Sequence, residues 1–314
     1  MTLFFYGPNS YALRQQLAQM VAAYRAKAGS DFGLERIDGA MVKAAELQAA
    51  LQATPFLATS RLVIVEGVAG NKAVAQGLAA MLAGVPPTTV AVFVEREVDQ
   101  RTSAFKALKG ADKVVKFEAL EGAKLLGWVR AEAARLGGTM EPVAIRELVE
   151  LAGEDQWRLA GEINKLVNYS PEVTVAAVRE LVAPSVERSI FDLVEAMTAG
   201  RAAAALTAYR VLLDQKESEM YVLTMAQWQL RNLLLAKTAP SGMGPADLAK
   251  AAGMSPYVAG KMMAAQGSLS ETALRAAYGA AADCEFDIKI GRLKAEVAVE
   301  QLIYRVAMAS GARA

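Results

Sequence analysis

The chain opens with the sequence LFFYGPNS at residues 3–10, in which an apolar run is followed by a glycine turn. Apolar residues then recur at helical spacing from Leu13 to Tyr24, so the turn leads into an amphipathic helix. A strand, a glycine turn and a helix in this order can hold a phosphate group at the helix N-terminus. A working P-loop also needs a lysine and a serine or threonine, and the sequence YAL at residues 11–13 stands where they would fall. We therefore favour a plain strand-to-helix turn, capped by its Asn or Ser, in an ATPase-type scaffold that serves to bind partners.

Composition narrows the classes of function that the chain can have. Its 314 residues suit two or three domains. A net charge of +1, with acidic and basic residues interspersed, argues against nucleic-acid binding driven by the overall charge of the chain. It has no histidine and a single cysteine, Cys284, which excludes an internal disulfide and histidine-based catalysis and argues against a thiolate zinc site. We expect no metal and no cofactor. No signal peptide and no membrane-spanning run is visible, so a cytoplasmic protein without a membrane partner is expected.

The first third of the chain alternates short apolar runs with helical patterns, which is typical of a parallel sheet covered by helices on both faces. We predict a five-stranded α/β domain over residues 1–119, with helices near 10–27, 43–52, 72–83 and 102–108. The predicted strands are Leu3–Tyr6, Leu34–Ile37, Leu62–Val65, Val90–Val94 and Val114–Phe117.

Strand signals stop after residue 119, and the fold class is therefore α/β followed by all-α. A small helical domain is predicted over residues 120–183, with Ala183-Pro184 as its boundary. The remainder, 184–314, reads as wholly helical. A single last helix is expected to carry apolar residues from Phe286 to Leu302. The helical segments of the smaller domain are 122–136, 141–152, 156–168 and 174–182, and a loop is expected at 240–245.

Three further features could carry function. Glu66 follows a buried strand, where an ATPase would hold magnesium, but without a P-loop partner it reads as a solvated strand end. The sequence TPFL at residues 54–57 leaves two readings open: the apolar pair packs under its own loop, or it forms a wedge for another protein's pocket. A helix with Phe105 and Leu108 facing inward presents Arg101 and Lys106 outward, to DNA phosphate or to solvent.

In order and spacing these segments resemble the delta subunit of the bacterial DNA polymerase III clamp loader. The resemblance runs nearly end to end, although no single segment is diagnostic. The matching segments are FFYG at 4–7, TPFL at 54–57 before RLVIV at 61–65, the helix from Asp99 to Leu108, and residues within 128–129, 153–166, 187–196, 229–231, 256–261 and 283–291.

The resemblance implies an AAA+-type α/β domain, a small helical lid and a helical collar that joins neighbouring loader subunits. It implies a subunit of the DNA polymerase III holoenzyme that does not itself hydrolyse ATP, and that binds the ring-shaped sliding clamp and holds one interface open. The family's clamp-binding element, an apolar pair at a loop tip, maps to Phe56 and Leu57, with Thr54 and Pro55 before them. Leu57 stands where family members often carry a second aromatic residue.

Contacts beyond the apolar pair are expected from basic and polar residues. The helix before the loop could orient the wedge through Lys43, Glu46 and Gln48. Primed DNA in the assembled loader could meet basic residues of the α/β domain or of the collar. Three alternatives stay open: an ATPase with a degenerate P-loop, using Ser10 and Glu66; a loader subunit of the delta-prime type; and a helical scaffold unrelated to replication, in which the apolar pair at 56–57 is buried in its own domain. The DNA-facing candidates are Arg101, Lys106, Lys289 and Arg292.

Overall fold

The computed structural model describes residues 1–254, 256–265 and 270–311. The chain separates into two compact units, Met1–Leu120 and Glu121–Ala314. The first combines a sheet with helices, and the described part of the second is helical apart from two very short strands. The division of the second unit into a lid and a collar at residue 183 stays a prediction.

A five-stranded parallel sheet organises the first unit, with strand order β2-β3-β4-β1-β5. The central strands β1, β3 and β4 are buried on both faces, as expected for apolar runs without alternation, whereas the edge strands are partly exposed. All five predicted strands and the α/β plus all-α fold class are confirmed. The strands are β1 (Thr2–Tyr6), β2 (Leu34–Asp38), β3 (Arg61–Glu66), β4 (Thr89–Glu95) and β5 (Lys113–Lys116).

Helices cover both faces of this sheet. On one face α1 (Ser10–Ala28) packs Leu13, Leu17 and Val21 against alternate residues of the central strands. On the other face Phe4, Val63 and Phe93 belong to a second core with the helices that follow the later strands. These helices are α2 (Ala44–Gln52), α3 (Lys72–Ala75), α4 (Leu78–Ala83) and α5 (Ser103–Leu108).

The single helix predicted at 72–83 is two helices in the structure. Gly77 precedes α4, and its N–H donates to the carbonyl of Val74 at 3.1 Å, one residue closer than in an α-helix. This tighter turn interrupts the helix while the apolar spacing continues across it.

The second unit begins with four helices and two strands of two residues each. Strands β6 (Thr139–Met140) and β7 (Glu172–Val173) pair in parallel, so the expectation of no strand after residue 119 is wrong. Two residues are too few to leave a periodic signal in the sequence. The helices are α6 (Gly122–Arg135), α7 (Pro142–Ala152), α8 (Gln156–Tyr169) and α9 (Val175–Leu181).

Among the described residues after 185, seven further helices pack around a common apolar core. The single last helix predicted through Phe286 and Leu302 is wrong, because Gly291 takes a left-handed conformation (φ +72°) that separates two helices. The loop predicted at 240–245 lies between two helices as expected. The helices are α10 (Val186–Thr198), α11 (Ala202–Asp214), α12 (Glu219–Lys237), α13 (Pro245–Ala252), α14 (Pro256–Ala265), α15 (Glu271–Lys289) and α16 (Ala295–Gly311).

Candidate functional site

An exposed apolar pair lies in the loop that connects α2 to β3. The side chain of Phe56 is 78% exposed and that of Leu57 is 69% exposed, so the reading in which the pair packs under its own loop is wrong. Thr54 is exposed and Pro55 half-buried. Because the loop precedes a strand, it lies at the edge of the sheet where the parallel strands begin. Leu57 adopts a left-handed backbone conformation (φ +56°), which is uncommon for a branched side chain.

The guanidinium of Arg61 holds the beginning of this loop. Its Nη1 donates to the carbonyl oxygens of Ala50 and Ala53, the latter at 3.2 Å, at the C-terminal end of α2. Its Nη2 donates to Glu35 Oε2 at 2.5 Å. The guanidinium therefore satisfies carbonyls that have no partner within the helix, in a position where the helix dipole favours a cation.

The end of the loop is held by Tyr24. Its hydroxyl lies 2.9 Å from the carbonyl oxygen of Ser60 and 2.6 Å from that of Phe32. Burial raises the pKa of Tyr24, while the nearby Arg61 charge acts in the opposite direction. Because a hydroxyl carries one proton, Tyr24 donates to one of these two carbonyls at a time. The loop is therefore held at its beginning by Arg61 and at its end by a hydrogen bond that Ser60 shares with Phe32, and the exposed pair lies between them.

Helix α2 supports the loop from inside the unit. Leu47 and Leu51 are fully buried in the core below it, which fixes the helix against the sheet. The predicted rim residues Lys43, Glu46 and Gln48 are all exposed. Glu46 accepts a hydrogen bond from the backbone N–H of Lys43 at 3.3 Å and closes the first turn.

The glycine turn at the opposite edge of the sheet is closed by bonds within the chain. The N–H of Gly7 donates to the carbonyl of Glu95 at 3.0 Å, and that of Asn9 donates to the carbonyl of Phe117 at 3.2 Å. The Asn9 side chain accepts from Ala12 N at 3.0 Å and donates to the carbonyl of Glu118 at 3.0 Å. Several donors that a phosphate group would need are thus already used.

The two acids at neighbouring strand ends differ in their surroundings. Glu66, the predicted candidate, is partly exposed, and its carboxylate lies 3.8 Å from Arg36 Nη1. Glu95, which sequence reasoning missed, is only 4% exposed and accepts a hydrogen bond from Ala69 N at 2.7 Å. Burial raises the pKa of Glu95 to about 7, partly offset by bonds from the backbone of the 3-10 turn at Val68–Gly70. In the sequence Glu95 belongs to a run of charges that reads as surface, so burial was not predictable.

Three of the four basic residues proposed to face DNA are paired with neighbouring carboxylates. Arg101 bonds Asp99 at 2.8 and 2.9 Å, Lys289 lies 2.5 Å from Glu285, and Arg292 lies 3.2 Å from Asp287. Arg101 precedes α5 instead of lying on it, and Lys106 is exposed on that helix. Arg101 and Lys106 belong to the first unit and the other two to the second, so the structure does not bring the four together in either unit. Their role on DNA stays a prediction.

Within 1–254, 256–265 and 270–311, no three acidic or cysteine side chains gather as a metal site requires. Over the same ranges, no helix has the length and apolar character needed to cross a bilayer.

The geometry defines a class of protein: an α/β domain of nucleotide-binding architecture with a closed glycine turn, followed by a helical unit. Residues 3–118 match the family model described as DNA polymerase III, delta subunit. Residues 187–306 match the model for the DNA polymerase III delta subunit, C-terminal domain. The two matches together cover more than half of the chain, which belongs to the family of DNA polymerase III delta subunits, the clamp-loader delta subunits of DNA replication.

Individual relatives agree with this assignment. The DNA polymerase III subunit delta of Bacillus subtilis (strain 168) is 23% identical over 316 residues, covering 96% of this chain and 91% of the relative. The solved structure of the Bacillus subtilis DNA clamp loader delta protein matches with a TM-score of 0.70 at 23% identity, over 98% of this chain and 95% of that one. The resemblance read from the sequence is confirmed.

Proposed function

We propose that this chain binds a sliding clamp through Phe56 and Leu57 and holds one interface of the ring open, in the cytoplasm and without hydrolysing ATP itself. The observation that carries the proposal is the exposure of both side chains at the tip of a loop whose two ends are tied. Large apolar side chains presented on a fixed loop are typical anchors of protein interfaces.

The size of the two apolar side chains limits the binding free energy that they can contribute. Each side chain contributes roughly 1.5–3 kcal/mol when fully buried in a pocket. The buried face of α2 keeps the loop in place, and the exposed Lys43, Glu46 and Gln48 are available as a polar rim. Such a rim orients an anchor more than it adds to affinity.

Opening of the ring follows from differential binding. If the apolar pair contacts the open clamp better than the closed clamp, binding shifts the ring toward the open state by the difference in free energy. The chain then needs no chemistry of its own, and hydrolysis by neighbouring subunits releases the clamp.

The closed glycine turn supports the non-hydrolysing role, because Gly7 and Asn9 donate to the chain itself. The rival reading is an ATPase that uses Ser10 and Glu66 without a P-loop lysine. Isothermal titration with ATP and magnesium separates the two. Heat of binding with micromolar affinity favours the rival, and no binding at that level favours our proposal.

Two further contacts belong to this proposal. Neighbouring loader subunits would bind the helical unit, where α15 and α16 expose Phe286, Ile290, Tyr304 and Met308. Primed DNA would contact the basic candidates named above, in which case binding by the assembled loader weakens as salt rises. Association that is independent of salt contradicts the DNA contact.

The decisive test is binding to the sliding clamp from the same cell. We expect the double substitution Phe56→Ala and Leu57→Ala to weaken binding by about 30-fold or more, or ~2 kcal/mol. The matched control is Tyr169→Ala, an exposed side chain (63%) at the end of α8 in the second unit, which should bind as the wild type does. Undiminished binding by the double variant overturns the assignment of the apolar pair.

A further inference from the structure

The end of α2 accepts hydrogen bonds from a side chain on the far side of the following loop. The carbonyls of the last turn of a helix have no partner within the helix. Here the carbonyl oxygens of Ala50 and Ala53 both accept from Arg61 Nη1. Arg61 is the first residue of β3, so the guanidinium spans the loop and joins its end to its beginning.

The environment of Arg61 requires an arginine and not merely a positive charge. The side chain is only 10% exposed, and Glu35 Oε2 lies 2.5 Å from Nη2. The planar fork of a guanidinium donates to helix carbonyls and to a carboxylate at once, whereas a lysine ammonium is a compact point charge on a flexible stem. A buried charge is tolerated because it is paired on both sides.

The remaining end of the loop enters β3, where the backbone N–H of Arg61 donates to the carbonyl of Thr88 at 2.8 Å. The Tyr24 hydroxyl also lies against Ser60 but divides its single proton between the carbonyls of Ser60 and Phe32. Residues 54–59 therefore lie between two fixed points, with Phe56 and Leu57 at their centre. A short segment tied at both ends has few conformations to lose when its tip enters a pocket.

We infer that Arg61, held by Glu35, is a positioning residue that pre-orders the apolar tip for its protein partner. This inference rests on the proposed clamp-binding function, which it deepens. Arg61 itself need not touch the partner. Its effect reaches binding only through the order of the loop.

Mobility of the loop is measured first, without any partner. A nitroxide label is placed at Thr59→Cys in a Cys284→Ala background, since Cys284 is the single cysteine of the chain. A second label at the exposed Gln19→Cys on α1 reports the rest of the unit. In Arg61→Met we expect a clear narrowing of the electron spin resonance line at position 59 and no change at position 19.

Binding to the purified sliding clamp is measured next. We expect Arg61→Met to weaken binding roughly tenfold through lost pre-ordering, and Arg61→Lys to recover part of this loss. In a Phe56→Ala background, the same Arg61→Met substitution should cost much less, because the group that Arg61 positions is already missing. Arg179→Met, which breaks an ion pair with Glu147 in the second unit, is the matched control and should leave both measurements unchanged.

The outcomes separate this inference from the proposed function. An unchanged line at position 59 in Arg61→Met overturns the inference, as does narrowing at both labels, which indicates general destabilisation. Equal losses in the wild-type and Phe56→Ala backgrounds also overturn it. If the alanine substitutions at 56 and 57 leave clamp binding intact, the proposed function fails by itself. If Arg61→Met does not fold, Arg61→Lys carries the same two measurements.

Discussion

The loops at the two ends of the parallel strands differ in what they do with their side chains and backbone groups. At the edge where the strands end, the turn after β1 is closed by internal bonds through Gly7 and Asn9, and the buried Glu95 caps a neighbouring turn. At the edge where the strands begin, the loop before β3 exposes Phe56 and Leu57.

In most α/β domains, ligands bind outside the carboxyl ends of the strands. In this chain the arrangement is the opposite. Here the polar groups at that edge serve the fold, and apolar surface is offered at the opposite edge. A scaffold of this architecture can therefore close its glycine turn while the apolar side chains that it exposes lie elsewhere. Substitutions at the closed edge should therefore affect stability, and substitutions at the exposed loop should affect partner binding.

The largest effect is expected at Gly7. A Cβ atom there would lie 2.2 Å from the carbonyl oxygen of Phe117, and the backbone has a φ of +132° that side chains rarely adopt. We expect Gly7→Ala to lower the free energy of unfolding by roughly 3 kcal/mol or more, measured by urea denaturation followed by circular dichroism. The matched control is Gly29→Ala, where φ is +68° but the space is open, with a loss of about 1 kcal/mol. Equal losses at the two positions would show that the turn is not closed as described.

The next largest effect is a dependence of the free energy of unfolding on pH, which we attribute to Glu95. Burial raises the pKa of Glu95 to about 7, so between about pH 4.5 and 7 the folded chain keeps a proton that the unfolded chain releases. The stabilising contribution is complete below the unfolded pKa and is lost progressively as the pH rises from about 4.5 through 7, by roughly 3 kcal/mol in all.

Comparison of substituted chains isolates this contribution. Glu95→Gln should remove the slope across that pH window, because a glutamine does not titrate and its oxygen can still accept from Ala69 N. Glu66→Gln, at the end of the neighbouring strand and partly exposed, should keep the wild-type slope. An unchanged slope in Glu95→Gln contradicts the role given to this carboxyl group. Stability of each variant is measured by urea unfolding at several pH values.

The sequence was sufficient for the parts of the fold that bury continuous apolar runs. Residues Val63 to Val65 are fully buried in the centre of the sheet. Burial on both faces requires an apolar residue at every position, and this leaves a continuous apolar run in the sequence. Breaks within helical patterns were missed, because the apolar spacing on both sides of Gly77 and Gly291 continues as if one helix were present. Two-residue strands leave no pattern at all.

The site was predictable in part for a similar reason. The pair at Phe56 and Leu57 could be read as an anchor, but no local pattern encodes the contacts at the ends of its loop, which join Arg61 to Glu35 and Tyr24 to Ser60. The burial of Glu95 could not be predicted for the same reason. Its place in a run of charged residues gives no sign that the 3-10 turn after β3 covers its carboxyl group. Long-range hydrogen bonds to backbone atoms leave little trace in residue types.

The smallest effect on folding is expected where the effect on binding is largest. Because both side chains are mostly exposed, the double substitution Phe56→Ala and Leu57→Ala should change the free energy of unfolding by no more than ~0.5 kcal/mol. Leu51→Ala, a fully buried leucine at the end of α2, provides the contrast with a loss of about 2–5 kcal/mol in the same urea titration. A loss above about 1 kcal/mol in the double variant would mean that the pair contributes to the fold, and the contrast between the two edges would weaken. If stability is unchanged while clamp binding falls, the pair is retained for contact with another protein, since folding gives no reason to keep two large apolar side chains in water.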